Sequence, residues 1–264
     1  MRFCVLGSGS KGNATYIEAG ETRLLIDAGF SGVEIGRRLT VIGVEADDLS
    51  AILITHEHTD HIKGAPVLSR KLGIPVYVNQ ATYEAAGWDT KKIYKWHPIE
   101  AGASFAIGSL TIHPFSVSHD AADPMGYVIK NSTVSIGYCT DTGVASRLMH
   151  HRLAGCHALI LESNHDPEML RNGAYPLYLQ QRIRSKAGHL ANGQAAEFLR
   201  DLLHDDLQHV VLAHLSDSNN TPDLVRREFE LLMQSCEDLC RRGSPCISIS
   251  CQDKTGEMID LRDT

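Results

Sequence analysis

The chain has 264 residues, 43% hydrophobic and 22% charged, which is enough to bury a core and excludes a disordered or collagen-like segment. With 25 lysines and arginines against 32 acidic residues the net charge is −7. That excludes a protein coating nucleic acid by charge alone, but not a nuclease holding phosphates with metal ions and one basic patch.

Residues 1–7 are too short an apolar stretch for a signal peptide, and no apolar run nears the roughly 20 residues that span a bilayer. A soluble cytoplasmic protein is expected. Strands are expected at 3–6, 14–17, 22–26, 51–55, 75–78, 109–113, 127–129 and 133–136, separated by glycine, asparagine and proline. Helices are expected at 33–39 and 63–72. Residues 7–12 satisfy GxGxxG, and Asp27 ends a later strand at the acidic position of a dinucleotide fold. That fingerprint needs a helix after the glycines, whereas residues 13–17 read as a strand, so a glycine-rich β-hairpin fits better.

Strands return at 158–161, 210–213 and 246–250, with helices between. One helix spans 194–203. The best-defined runs 222–242, with Thr221 as N-cap, Pro222 at its first position and Arg241, Arg242 and Gly243 at its end. Its stripe of Val225, Phe229, Leu232, Cys236, Leu239 and Cys240 puts both cysteines on a buried face. No repeat or linker divides the chain, so residues 1–264 read as one α/β domain. The seven cysteines include no CxxC pair, which argues against a disulfide framework or thiolate zinc knuckle.

The 14 histidines concentrate the chemistry. After the strand at 51–55 come His56, His58, Asp60 and His61. Two residues apart at a strand end, His56 and His58 point the same way and reach one metal ion. Asp60 and His61, in the turn, supply oxygen and nitrogen to a second. Further ligands are expected at similar strand ends: His119 in FSVSHD, Asp141 in GYCTDTG and His214 in VVLAHLS. Nitrogen and oxygen donors suit Zn²⁺, Mn²⁺ or Fe²⁺ better than a thiolate-seeking metal.

HxHxDH with a downstream His, Asp and His resembles the metallo-β-lactamase superfamily, which implies a four-layer αββα sandwich with a di-metal site at one edge. The resemblance implies that His56, His58 and His119 bind one ion, that Asp60, His61 and His214 bind the other, and that Asp141 bridges them. The aspartate at Asp60 resembles the hydrolase, phosphodiesterase and nuclease branches of that superfamily. GSGSKGN, LLIDAG, SHDAADPMGY, LESNHD, GHLAN and AHLSDSNN extend the likeness over nearly the whole chain to the YycJ/WalJ-type metallo-hydrolases, regarded as DNA exonucleases related to ribonucleases Z and J. At this length there is no room for the large inserted domain of ribonuclease J.

The implied reaction is phosphodiester hydrolysis by a water activated between two divalent ions, in a 5′-directed DNA exonuclease, with Asp60 among the catalytic residues. The resemblance to ribonuclease Z makes His189 in GHLAN the general acid or phosphate contact, oriented by Glu162. Arg182, Arg184 and Lys186 lie in a stretch without acidic residues and are expected to hold backbone phosphates, while Tyr175 and Tyr178 are placed to stack on bases. Ser8, Ser10 and Asn13 are expected to border the site and contact substrate. Asn164, His165, Asn219 and Asn220 sit beside the ligand motifs. The alternatives are a di-metal hydrolase of a small phosphodiester, lactone or thioester, an RNA-processing nuclease, and a sensing module without turnover. The partner expected is nucleic acid, DNA first, with no membrane; the oligomeric state stays open.

Overall fold

Short strands, most of them buried on both faces, build two mixed sheets in the structure, a computed structural model that describes residues 1–236 and 243–262. The first half supplies β1 (Arg2–Gly7), β2 (Ala14–Ala19), β3 (Thr22–Ile26), α1 (Gly32–Val41), β4 (Ala51–Leu53), α2 (Thr59–Ile62), α3 (Ala65–Leu72), β5 (Pro75–Val78), α4 (Gln80–Ala85) and β6 (Lys95–Pro98). The second supplies β7 (Phe105–Ile107), β8 (Leu110–Ser116), β9 (Met125–Lys130), β10 (Ser135–Cys139), α5 (Arg147–Leu153), β11 (Ala158–Glu162), α6 (Pro167–Asn172), α7 (Leu177–Ile183), α8 (Asn192–Leu202), β12 (His209–Ala213), α9 (Pro222–Ser235), β13 (Cys246–Ile249) and β14 (Ile259–Asp260). The sheets run β14-β1-β2-β3-β4-β5-β6 and β13-β12-β11-β10-β9-β8-β7.

Each sheet joins an antiparallel meander to a parallel extension. The meanders are β1-β2-β3 and β7-β8-β9-β10, and the extensions begin at β3 and β10. Leu24 and Ile26 of β3 join Ile160 and Val211 of the other sheet in the central core. Leu25, between them, packs with Ile35 and Leu39 of α1 and Leu68 of α3. On the far side Leu159, Leu161, Val210 and Leu212 pack with Phe198, Leu199 and Phe229 of α8 and α9. The result is an α/β, four-layer αββα sandwich, as the resemblance implied. None of the helices described is long and apolar enough to cross a membrane.

Strand direction decides where the chemistry collects. β1, β3 and β4 share one direction, as do β8, β10, β11 and β12. The loops leaving their carboxyl ends therefore meet at one edge of the sandwich, where ligands gather in such sheets. The loop after β1 leads into strand β2, so the glycine-rich GxGxxG segment is a hairpin, as its sequence suggested.

Several boundaries differ from those expected. The strand expected at 51–55 ends at Leu53, and the helix expected at 63–72 begins two residues later, as α3; a separate short helix, α2, precedes it, and between them lies Gly64, where a side chain would stand 2.3 Å from the Phe30 carbonyl oxygen. The helix expected at 194–203 begins two residues earlier, at Asn192, and the one expected at 222–242 is helical through Ser235. Cys236 is buried as expected, while Leu239, Cys240, Arg241 and Arg242 lie outside the described residues. β6 gave no sequence signal because KWHP is partly exposed at a sheet edge and ends in proline. The helix α7 gave none because it buries no residue, so it lacks an apolar stripe.

Candidate metal centre and cleft

The chain leaving β4 is tied down by one buried carboxylate. Asp27, at the end of β3, accepts hydrogen bonds from the Thr55 amide through Oδ1 and from Thr55 Oγ1 through Oδ2, each 2.8 Å, and its Oδ2 lies 2.8 Å from His61 Nδ1. Asp27 and His61 are fully buried. His56 Nδ1 lies 3.0 Å from the same Thr55 hydroxyl. Because that hydroxyl donates to Asp27, its oxygen accepts from His56, and both imidazoles turn Nε2 inward. The α2 turn fits closely against Gly29: a side chain there would stand 1.7 Å from the Asp60 carbonyl oxygen.

Two ligand-rich pockets result. The rings of His56, His58 and His119 have centroids 4.6, 5.1 and 5.0 Å apart, and His119 Nε2 is 3.3 Å from His58 Nδ1. Alongside, Asp60 Oδ2 is 3.5 Å from His61 Nε2 and 3.7 Å from His214 Nε2. Asp141 lies between the two sets. Its Oδ1 is 3.8 Å from His119 Nε2 and 3.3 Å from His214 Nε2, and its Oδ2 is 3.4 Å from His61 Nε2. Donors about 2.0–2.1 Å from a tetrahedral ion stand roughly 3.3 Å apart, so these spacings suit shared cations. His56 Nε2, His214 Nε2 and Asp141 Oδ2 are buried without a hydrogen-bond partner, an arrangement costly unless something charged completes it. The residues present therefore fit divalent ions.

Electrostatics agree with that need for positive charge. Burial opposes a proton on His61, yet Asp141, Asp27 and Asp60 outweigh it and lift the imidazole to about 9. Burial also opposes the Asp141 charge, but His214, His61 and His119 hold its carboxyl below the usual range. Among the described residues, Asp27, Asp141 and His214 are the non-glycine residues with positive φ, at 58°, 56° and 56°. Such backbones cost on the order of 1 kcal/mol each. Three of them concentrated here aim side chains that an ordinary strand exit would point elsewhere.

A further layer fixes the ligand rings. His214 Nδ1 lies 3.0 Å from Glu162 Oε1, and His119 Nδ1 lies 3.1 Å from the Gly188 carbonyl. Glu162 Oε1 is also 2.7 Å from His189 Nδ1, and its Oε2 accepts from the Thr142 and Leu190 amides at 3.2 and 3.0 Å. Burial works against the Glu162 charge, but His189 and His214 outweigh it and hold the carboxyl well below the carboxylate range. Ser8 Oγ accepts from the His214 amide at 2.9 Å and donates to Asn13 Oδ1 at 2.8 Å. Asn13 Nδ2 is 3.0 Å from His61 Nε2 and 3.3 Å from Asp60 Oδ2. Asn164 Nδ2 donates to the His214 carbonyl, and Asn220 Nδ2 donates to the Ser163 and Asn164 carbonyls.

All seven expected ligands meet here, and above them opens a cleft of about 290 Å³. Its walls include Ser10, His58, Asp60, Asp120, Asp141, Tyr175, Arg182, His189 and His214. Of the expected substrate contacts, Ser10 and Arg182 line it. Ser8 and Asn13, also expected to contact substrate, are buried and do not line the cleft; they hold His214, His61 and Asp60. Arg184 and Lys186 are exposed outside the walls, Arg184 donating to the Gln180 carbonyl and the Lys186 carbonyl accepting from Ser118. Tyr175 lines the cleft, and Tyr178 projects outward. Asp27 was missed as part of this site because its sequence signal, an aspartate ending a strand in LLIDAG, also fitted a dinucleotide fold. Asp120 was masked by its neighbour His119.

A family described as beta-lactamase superfamily domain matches residues 22–215, a span holding every expected ligand. The exodeoxyribonuclease YycJ of Bacillus anthracis is 40% identical over 241 residues, 89% of this chain and 89% of that protein. The exodeoxyribonuclease WalJ of Streptococcus pneumoniae is 40% identical over 230 residues, 85% of each. The crystal structure of the metallo-beta-lactamase fold protein YhfI from Bacillus subtilis aligns with a TM-score of 0.73 at 18% identity, covering 98% of both chains.

Proposed function

This chain belongs to the beta-lactamase superfamily and, within it, to the family of the exodeoxyribonucleases YycJ and WalJ, and from that premise we propose that it is a 5′-directed DNA exonuclease dependent on two divalent ions. The observation carrying this reading is the meeting of two ligand sets at Asp141 with the Glu162–His189 pair beside them on one cleft. His56, His58 and His119 would hold one ion, and Asp60, His61 and His214 the other, with Asp141 shared. Nitrogen and oxygen donors suit Zn²⁺, Mn²⁺ or Fe²⁺. When bound, such ions polarise the phosphoryl group and bring the pKa of a water toward neutral.

The chain's own residues do the rest. Glu162 accepts from His189 Nδ1, which leaves Nε2 to give a proton to the leaving oxygen, and the carboxylate stabilises the imidazolium that gives it. Arg182 binds a phosphate oxygen. Asp60, besides ligating, places its carboxylate on the cleft wall. The reaction class is tested with metal-reconstituted protein on bis(p-nitrophenyl) phosphate, an acyl thioester and a lactone at equal concentration. Hydrolysis of the phosphodiester foremost is expected; hydrolysis of the thioester or lactone alone would move the function to acyl chemistry.

Asp27 gives a second test. Asp27→Ala removes the acceptor orienting His61 and, through Thr55, His56, so metal affinity should fall by about 10–100-fold in an equilibrium titration. Unchanged affinity would remove Asp27 from the site's support.

A further inference from the structure

Arg182 is the one arginine or lysine among the described residues that line the cleft, and it is already engaged. Its Nε donates a charge-assisted hydrogen bond to Asp120 Oδ2. The other oxygen of that carboxylate, Oδ1, is 3.4 Å from His119 Nε2, a nitrogen of the candidate metal centre. Asp120 therefore presents one oxygen to the ligand cluster and one to the arginine, the two contacts a bound phosphoryl group would need. Both partners remain accessible, with 30% of the Asp120 side chain and 57% of the Arg182 side chain exposed, so an incoming anion can displace one from the other. The pair also ties α7, which buries none of its residues, to the connection between β8 and β9.

We propose that Asp120 is a built-in competitor for the phosphate position, an inference that rests on the phosphodiesterase reading above. Its carboxylate repels any phosphate and occupies its arginine, so an isolated phosphate or a mononucleotide is held weakly. A polymer overcomes that fixed penalty with contacts to neighbouring nucleotides. Asp120 thus keeps free phosphate and the mononucleotide product from occupying the site at concentrations at which a polymer still binds, and hastens release of that product.

The test is calorimetric binding of inorganic phosphate and of thymidine 5′-monophosphate to metal-loaded protein, which requires no turnover. An exposed ion pair is worth little by itself, but removing a like charge adds to freeing Arg182, so Asp120→Asn should bind both anions about fivefold more tightly than wild type. Asp120→Ala should shift the same way. The gain should vanish in an Arg182→Ala background, with metal content unchanged throughout. Weaker or equal phosphate binding in both Asp120 variants, or loss of metal from them, would overturn the inference by making Asp120 a positioning group or a ligand. Absence of phosphate binding in every form would overturn it as well, while hydrolysis of bis(p-nitrophenyl) phosphate judges the reaction class separately.

Discussion

Asp141→Ala should lose metal and turnover together. Asp141 is the group within reach of His61, His119 and His214 at once, so its removal takes a donor from both ligand sets. The activation supplied by metal at such a centre is worth several kcal/mol, and the rate should fall by about 10³-fold or more. Metal bound per chain, measured after dialysis, should fall in parallel. The backbone allows a sharper version, because φ at this position is 56°, a conformation asparagine tolerates and alanine does not. Asp141→Asn should therefore match Asp141→Ala in lost rate yet unfold later, by about 1 kcal/mol. Full rate and full metal in either variant would contradict the shared-ligand assignment.

His189→Ala is expected to separate proton transfer from metal binding. His189 shares Glu162 with His214, but without it Glu162 still accepts from His214 Nδ1 and from the Thr142 and Leu190 amides. The metal side of the network stays anchored. The variant should keep its metal content while kcat on DNA falls by about 10²–10⁴-fold, with a much smaller change in KM. The loss should shrink markedly on bis(p-nitrophenyl) phosphate, whose leaving group departs as an anion without needing a proton. Equal losses on both substrates would deny His189 the acid role. Loss of metal would make it a ligand.

The cluster from His56 to His61 was legible in the sequence because four potential ligands in six residues are hard to explain as packing. His119, Asp141 and His214 were legible because each follows a β-like run, and strands of shared direction deliver their exits to one edge. Asp27 follows a β-like run too, but its role depends on contacts with Thr55 and His61, far along the chain, which no local pattern encodes. The same applies to Ser8 and Asn13: glycine-rich hairpins suggest an accessible loop, whereas this one folds inward and spends its polar groups on the ligand residues. Arg182, Arg184 and Lys186 looked equivalent in sequence, and the α7 turn brings the first to the cleft while leaving the others outside. Positive φ at three non-glycine residues had no sequence signature at all.

The most direct measurement of the central claim is cleavage of 5′-labelled single-stranded DNA, duplex DNA and RNA by metal-depleted protein with Mn²⁺ or Zn²⁺ restored, beside Asp60→Ala prepared identically. The account predicts mononucleotides or short 5′ products from DNA, formed by wild type only and only with metal. Failure to cleave any polymer, or cleavage that survives in Asp60→Ala or without metal, would contradict it.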